Sequence, residues 1–236
     1  MNSPNLIWVS VAVLFGAFVQ GSTGLGFALI VAPVIGLIAP EQLPVCVLLL
    51  MIPLNLYVAW RERASLDFRS GSWVTVGRVL GTLGGIWVVT TLSPGHMNTL
   101  VGMSTIVAVA VTLLLPSFEP RRCVYVGAGL ITGVTETATG FGGPPLALVY
   151  QHHAAAVMRS TIALCFLVGE IISLALLWYS GRAHMLQLVT ALYLAPALVA
   201  GALLSKLAHS RIDTKSLRLF VMAFSLVSGV LLLVRA

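Results

Sequence analysis

Charge is scarce in this sequence. Only 8% of its 236 residues are Asp, Glu, Lys or Arg, against roughly 25% in ordinary soluble domains. With 58% hydrophobic residues and a mean hydropathy of +1.02, this shortage excludes a soluble catalytic or nucleic-acid-binding domain and points to an integral membrane protein. The formal net charge of +6 is not a nucleic-acid footprint, because the basic residues fall in short loops between apolar segments, where they set topology. Cysteine is scarce too. Cys46, Cys123 and Cys165 stand alone without CxxC or metal-ligand spacing, so they are expected to be inert packing residues, and neither a metal nor another cofactor is expected. Residues 1–6 carry no basic region ahead of the first apolar run, so a cleavable signal peptide is not expected.

Long apolar runs fill the rest of the chain. They span approximately 6–39, 43–60, 72–92, 97–115, 123–156, 158–179, 186–207 and 217–234. Six are close to the ~20 residues that cross a bilayer as a helix. The other two, about 34 residues each, are too long for one span and too short for two spans and a loop. Both carry glycine-rich breaks: Gln20-Gly21-Ser22-Thr23-Gly24-Leu25-Gly26-Phe27 in the first, and 133–145, which contains Glu136 and ends on Pro144 and Pro145, in the second. Each is expected to be a helix that enters, unwinds at the glycines and turns back. Such a break is tolerated at membrane depth only where the freed backbone faces protein or a polar cavity.

The loop cations test this reading. If each broken segment returns to its own side, Arg61, Arg63, Arg69, Arg121, Arg122, Arg159, Lys206, Arg211, Lys215 and Arg218 share one face, and only Arg182 and Arg235 lie on the other. If each crosses once, the distribution is seven against five. The positive-inside rule favours the first arrangement, with the ten cations cytoplasmic and both termini outside. An odd number of crossings per half then inverts the second half relative to the first. A constant offset of 116 residues relates Thr23, Gly24 and Gly26 to Thr139, Gly140 and Gly142, and Gly85 to Gly201. The expected architecture is an all-α polytopic membrane protein, one domain over 1–236, with repeats of about 5–116 and 121–234. Each repeat is a broken re-entrant helix pair plus three transmembrane helices. Inverted repeats with interrupted helices are a signature of secondary transporters, which hold substrate near mid-membrane at the repeat interface.

The residues GSTGLGFALIVAP in the first half and TGVTETATGFGGPPLALV in the second, with the duplicated layout around them, resemble the sulfite exporter TauE/SafE (TSUP) family over essentially the whole chain. The resemblance implies a carrier of small sulfur-containing or carboxylated anions, such as sulfite, sulfoacetate and related organosulfonates, across the bacterial cytoplasmic membrane, coupled to protons. Phe27 stands where the second half has Gly143, so the two half-sites are unequal.

A helix that stops and restarts leaves backbone N–H groups without intrahelical partners and a positive dipole end, which together suit an anion. Gly21, Gly24, Gly26, Gly140, Gly142 and Gly143 would let the backbone approach it, and Ser22, Thr23, Thr137 and Thr139 would add hydroxyl donors. Pro144 and Pro145 suit the first turn of the restarting helix. The bland alternative is that the glycines only allow tight helix packing. Glu136 matches Gln20 at the 116-residue offset. An ionisable group inside a membrane usually faces a cavity or a partner, and a buried carboxylate suits proton carriage. Glu170 and Asn55, on symmetry-related segments, are expected to line the same cavity. Arg78 is placed either to reach inward to an anion or to Glu136 or Glu170, or to snorkel to the surface. His152 and His153 are expected in an interfacial loop, and Trp8, Trp60, Trp73, Trp87 and Trp178 in an aromatic belt.

Other classes fit less well. A serine hydrolase using Ser22 or Ser104 lacks an intramembrane histidine as base, a passive anion channel remains an alternative, and a non-transporting assembly factor leaves the paired breaks unexplained. The partners expected are a small anion, protons and the lipid bilayer, with no nucleic acid. A homo-oligomer is left open.

Overall fold

In lipid every backbone polar group must find its partner inside the protein, and a helix does this within a single segment. The computed structural model describes residues 3–91, 96–114, 120–208 and 214–235; Arg211 and the repeat boundary near 116 lie outside them. The elements are α1 (Ser3–Thr23), α2 (Phe27–Ile38), α3 (Val45–Arg61), α4 (Phe68–Thr91), α5 (Met97–Leu114), α6 (Arg122–Thr139), α7 (Gly143–Val149), α8 (Ala155–Tyr179), α9 (Met185–Ala208) and α10 (Thr214–Arg235), with no strand among the described residues. Among the described residues, four helices hold a stretch long and apolar enough to cross a membrane: Asn5–Thr23, Phe68–Thr91, Ala155–Tyr179 and Met185–Lys206. The apolar stretches of α2, α3, α5 and α10 are shorter. Pro44 and the charged Arg61-Glu62-Arg63 run bound α3, which holds it to 17 residues.

Both long apolar segments break at their glycines, and by the same local device. Gly24 (φ +84°) and Gly140 (φ +76°) take a left-handed conformation that other residues rarely adopt. Each donates its N–H to the carbonyl four residues back, Gln20 O or Glu136 O, at 2.7 Å in both cases. The threonine before each glycine closes the turn, since Thr23 Oγ1 and Thr139 Oγ1 accept the N–H groups of Leu25 and Phe141 at 3.3 Å. The 116-residue offset therefore extends to individual hydrogen bonds.

Helix packing follows the same relation. The packed pairs α1–α9 and α4–α6 correspond, as do α3–α9 and α4–α8, and α2–α10 and α5–α7, while α3–α8 and α5–α10 map onto themselves. The closest pair is α4–α6, where only glycine fits. A Cβ on Gly81 would lie 2.1 Å from Leu130 O, one on Gly129 2.0 Å from Val74 O, and one on Gly133 2.3 Å from Arg78 O. Gly77, Gly81 and Gly85 meet Val126, Leu130 and Val134 in ascending order, so α4 and α6 run parallel and begin at the same end of the molecule. Small residues at such spacing let backbones touch, which makes dispersion and packing the main attraction between helices in lipid.

The loop cations separate between the two ends. Arg159 at the start of α8 pairs with Glu62 at 3.0 Å, and Arg69, Arg121 and Arg122 border one surface pocket. Arg182 instead donates to Thr90 O, near the far end of α4. Arg159 with Arg61 and Arg182 apart from Arg69 is the distribution of the returning-segment arrangement. Trp8, Trp60, Trp87 and Trp178 are each more than half exposed on the apolar surface. The cysteines divide: Cys46 and Cys165 are buried, but Cys123 is exposed. The expectation that all three are packing residues is therefore corrected for Cys123, which lies on the first turn of α6 and faces outward.

The α4–α6 contact generates a matched pair of substitutions. Gly81→Ala forces a methyl into the Leu130 carbonyl and is expected to lower stability by about 1–3 kcal/mol. Gly127→Ala, whose Cβ meets nothing within 4 Å, is expected to leave stability unchanged or raise it by up to ~1 kcal/mol through helix propensity. Thermal unfolding midpoints in detergent check both, and equal midpoints would contradict the packing account.

Candidate functional site

The two breaks face each other across one cavity of about 290 Å³. Gln20, Thr23 and Gly26 line it from the first break, and Phe141, Gly142 and Gly143 from the second. A Cβ on Gly143 would lie 3.3 Å from Leu25 Cδ2, so the breaks come into direct contact. Most of the wall is apolar, including Met51, Met158 and Phe166, and Gln151 and His153 add polar groups from the α7–α8 loop.

A buried polar chain runs from the cavity wall into the core. Gln20 caps the restarting helix, its Oε1 accepting the Phe27 N–H at 3.1 Å. Its Nε2 donates to Asn55 Oδ1 at 3.1 Å, and Asn55 Nδ2 donates to Glu170 Oε1 at 2.6 Å. The carboxyls of Glu170 and Glu136 face each other within interaction range, and Glu136 Oε2 pairs with Arg78 Nη2. Arg78 is 1% exposed, and Glu136, Glu170 and Asn55 are 0%. Of the two directions open to Arg78 from the sequence, the structure takes the inward one.

The surroundings are fitted to this cluster. A Cβ on Gly169 would overlap Arg78 Nε at 1.4 Å, so only glycine leaves room for the guanidinium stem there. Gly142 sits on the other side, where a Cβ would lie 3.0 Å from Glu136 Oε2. Phe166 separates the cluster from the cavity: it lines the cavity, its ring stacks 4.9 Å from Arg78 Cζ, and its carbonyl accepts from Arg78 Nη2 at 3.4 Å. Arg78 Nε and Nη1, Glu136 Oε1 and Glu170 Oε2 are buried without a hydrogen-bond partner. Buried polar groups are rarely left so.

The remaining residues singled out from the sequence have other occupations. Ser22 and Thr139 donate to the carbonyls of Phe18 and Thr135, four residues back, at 2.8 and 2.7 Å. Thr23 donates to Val19 O at 3.0 Å, and Thr137 shares a 2.7 Å bond with Ser173. The hydroxyls expected to serve as anion donors thus stabilise the breaks and the helix packing. Gly21 lies against Ser205, and its carbonyl accepts from Arg61 Nη2 at 3.1 Å, while Gly24 abuts the stem of Arg159. Gly140 forms the left-handed cap of α6. Asn55, Arg78, Glu136 and Glu170 lie behind the cavity wall rather than on it. His153 lines the cavity and packs on the Tyr150 ring at 5.1 Å, a closer role than an interfacial loop residue. Phe166 and Gly169 escaped the sequence reading, although Phe166 stands one turn before Glu170 and Gly169 adjoins it; Arg61 and Arg159, read only as loop cations, lie against the first break. No group of His, Cys, Asp and Glu suited to a metal occurs among the described residues.

A buried ion pair is costly to break from one side, at about 3–5 kcal/mol, but far less so to replace as a whole. Arg78→Met is therefore expected to destabilise strongly, and Arg78→Met/Glu136→Met to recover part of the loss. Unfolding midpoints of the single and double variants decide this, and a double variant no more stable than either single one would contradict the pairing.

Comparison with curated proteins and with solved structures gives no match. The sequence pattern of one family, the sulfite exporter TauE/SafE, matches residues 9–232, nearly the whole chain. Together with the apolar helices and the paired breaks around one cavity, that match makes this chain a membrane protein belonging to the sulfite exporter TauE/SafE family of transporters.

Proposed function

We propose that the chain is a proton-coupled secondary transporter of small organic anions, of the sulfite, sulfonate or short carboxylate type, built as a single membrane domain from two inverted repeats in the bacterial cytoplasmic membrane. The cation-rich end faces the cytoplasm and both termini face outward. The observation that carries the reading is the buried Arg78–Glu136–Glu170 cluster, screened by Phe166 from a cavity that both breaks line.

Charge balance gives the mechanism. One cation among two carboxyls is neutral only when a single proton is shared between Glu136 and Glu170, because two like charges in contact cannot both stay ionised in a dry site. An anion enters the cavity, the Phe166 ring swings aside, and the anion takes Arg78 Nη2 from Glu136, with one of the unpaired donors, Nε or Nη1, as its second contact. Glu136, released from the guanidinium, then takes up a proton to remain buried. Anion and proton bind together and leave together. Gln20 and Asn55 link the cavity wall to Glu170 and orient its carboxyl. The cavity volume of about 290 Å³ exceeds a bare oxyanion, and its largely apolar wall suits an anion carrying a short carbon body.

Proteoliposomes loaded with sulfite, small sulfonates or short carboxylates test this reading. Flux is expected to follow the pH gradient and to carry protons. Arg78→Gln is expected to weaken anion binding roughly ten- to a hundredfold, from the loss of a charge-assisted hydrogen bond worth about 1.5–3 kcal/mol. Glu136→Gln is expected to abolish the pH dependence. Anion flux without proton movement would instead establish a channel, and no binding of any of these anions would overturn the assignment.

A further inference from the structure

Outside the transport cavity, the parallel packing of α4 and α6 creates a second site. Their first turns emerge side by side at one end of the molecule and border a surface pocket of about 420 Å³, with Arg69, Arg121 and Arg122 around it and Trp73 and Tyr125 in its wall. Among the described residues the ion pairs are Arg61–Glu62, Arg78–Glu136 and Arg159–Glu62, so none of the three pocket arginines is neutralised. The pocket's one carboxylate, Asp67, is occupied by the first turn of α4 and forms no ion pair with them. Asp67 Oδ1 accepts the N–H groups of Arg69 and Ser70 at 3.0 and 3.3 Å, and Oδ2 accepts the Ser70 hydroxyl at 2.7 Å. Burial pushes the Asp67 carboxyl up, but these Ser70 and Arg69 hydrogen bonds outweigh it and hold it below the usual range, so it stays charged as the cap of α4. Three guanidiniums without an ion-pair partner, beside the N-terminus of α6, together favour a multiply accepting anion such as a phosphate.

The apolar surroundings specify where that phosphate comes from. The Arg122 guanidinium stacks 5.6 Å from the Trp73 ring, Trp73 is 37% exposed, and neighbouring Phe68 is 68% exposed. An exposed tryptophan with an arginine stacked on it is the arrangement of the membrane interface, at headgroup depth. Basic pockets between transmembrane helices on the cation-rich side accept anionic headgroups. We propose that this pocket binds the phosphate headgroup of an anionic phospholipid, held by Arg69, Arg121 and Arg122 with its chains running down past Trp73 and Phe68. The site is independent of the transport reading, since none of these residues touches the cavity or the buried cluster.

Native mass spectrometry of the full chain with added phosphatidylglycerol, phosphatidylcholine or inorganic phosphate tests it. Phosphatidylglycerol is expected to be retained in preference to phosphatidylcholine, and its affinity to fall roughly fivefold for each arginine changed to glutamine. Arg182→Gln, at the opposite end, is expected to leave it unchanged, and Arg122→Lys to keep most of it. The lysine variant retains the charge, so it separates loss of the site from loss of fold. Equal retention of both lipids, or a phosphatidylglycerol preference that survives Arg69→Gln/Arg121→Gln/Arg122→Gln, would overturn the proposal. Inorganic phosphate binding as tightly as phosphatidylglycerol would overturn it as well, by marking a site for soluble phosphate.

Discussion

A cation cannot be left inside an apolar body without a partner, and the core of this protein is arranged around meeting that demand for Arg78. The partner is Glu136, on α6. To bring it within reach, α4 and α6 approach until backbone meets backbone at Gly81, Gly129 and Gly133. Gly169 on α8 then yields the space that the guanidinium stem fills. A side chain at any of these positions would part the helices or expel the cation. The stretch that supplies Glu136 is the same stretch that unwinds four residues later, so the break at Gly140 and the buried ion pair form one construction.

The repeat relation shows what is particular to this half. The position 116 residues after Arg78 is Leu194, and the position matching Glu136 is Gln20. Leu194 is fully buried. In the first break the same backbone turn is therefore served by a neutral pair of residues, with Gln20 capping α2 and bonding Asn55. One scaffold thus holds an uncharged version and a charged version of the same joint. Only the charged version carries groups that gain and lose protons, and on the proposed reading the coupling chemistry joins Glu136 and Glu170 of the second half to Arg78 of the first. On the proposed reading Phe166 controls access from the cavity to Arg78, because it lines the cavity and its ring stacks on the guanidinium.

Much of the backbone plan was legible in the sequence. Apolar length, the glycine clusters and the constant offset gave the helix breaks, because each depends on local chain chemistry. Asn55 and Glu170 were expected from the offset to line one cavity; they are hydrogen-bonded to each other behind its wall. What the sequence left open required knowledge of distant neighbours. Arg78 sits about one and a half turns from its expected helix start, where both the surface and the interior are within reach, and only the gap at Gly169 and the charge of Glu136 decide between them. The hydroxyls of Ser22, Thr23 and Thr139 were expected as anion donors; carbonyls four residues back take their hydrogen bonds at no entropic disadvantage, while Thr23 also lines the cavity. Cys123 is chemically apolar, yet the first turn of α6 turns it outward.

The central claim is that an anion replaces Glu136 on Arg78 and that Glu136 is protonated as it lets go. Infrared difference spectroscopy of the reconstituted protein, with and without a small sulfonate, reads that event directly. The account predicts that sulfonate binding produces a new protonated-carboxyl band in the native chain and none in Glu136→Gln. Sulfonate binding that leaves the carboxyl region unchanged, or a band that persists in Glu136→Gln, would contradict it.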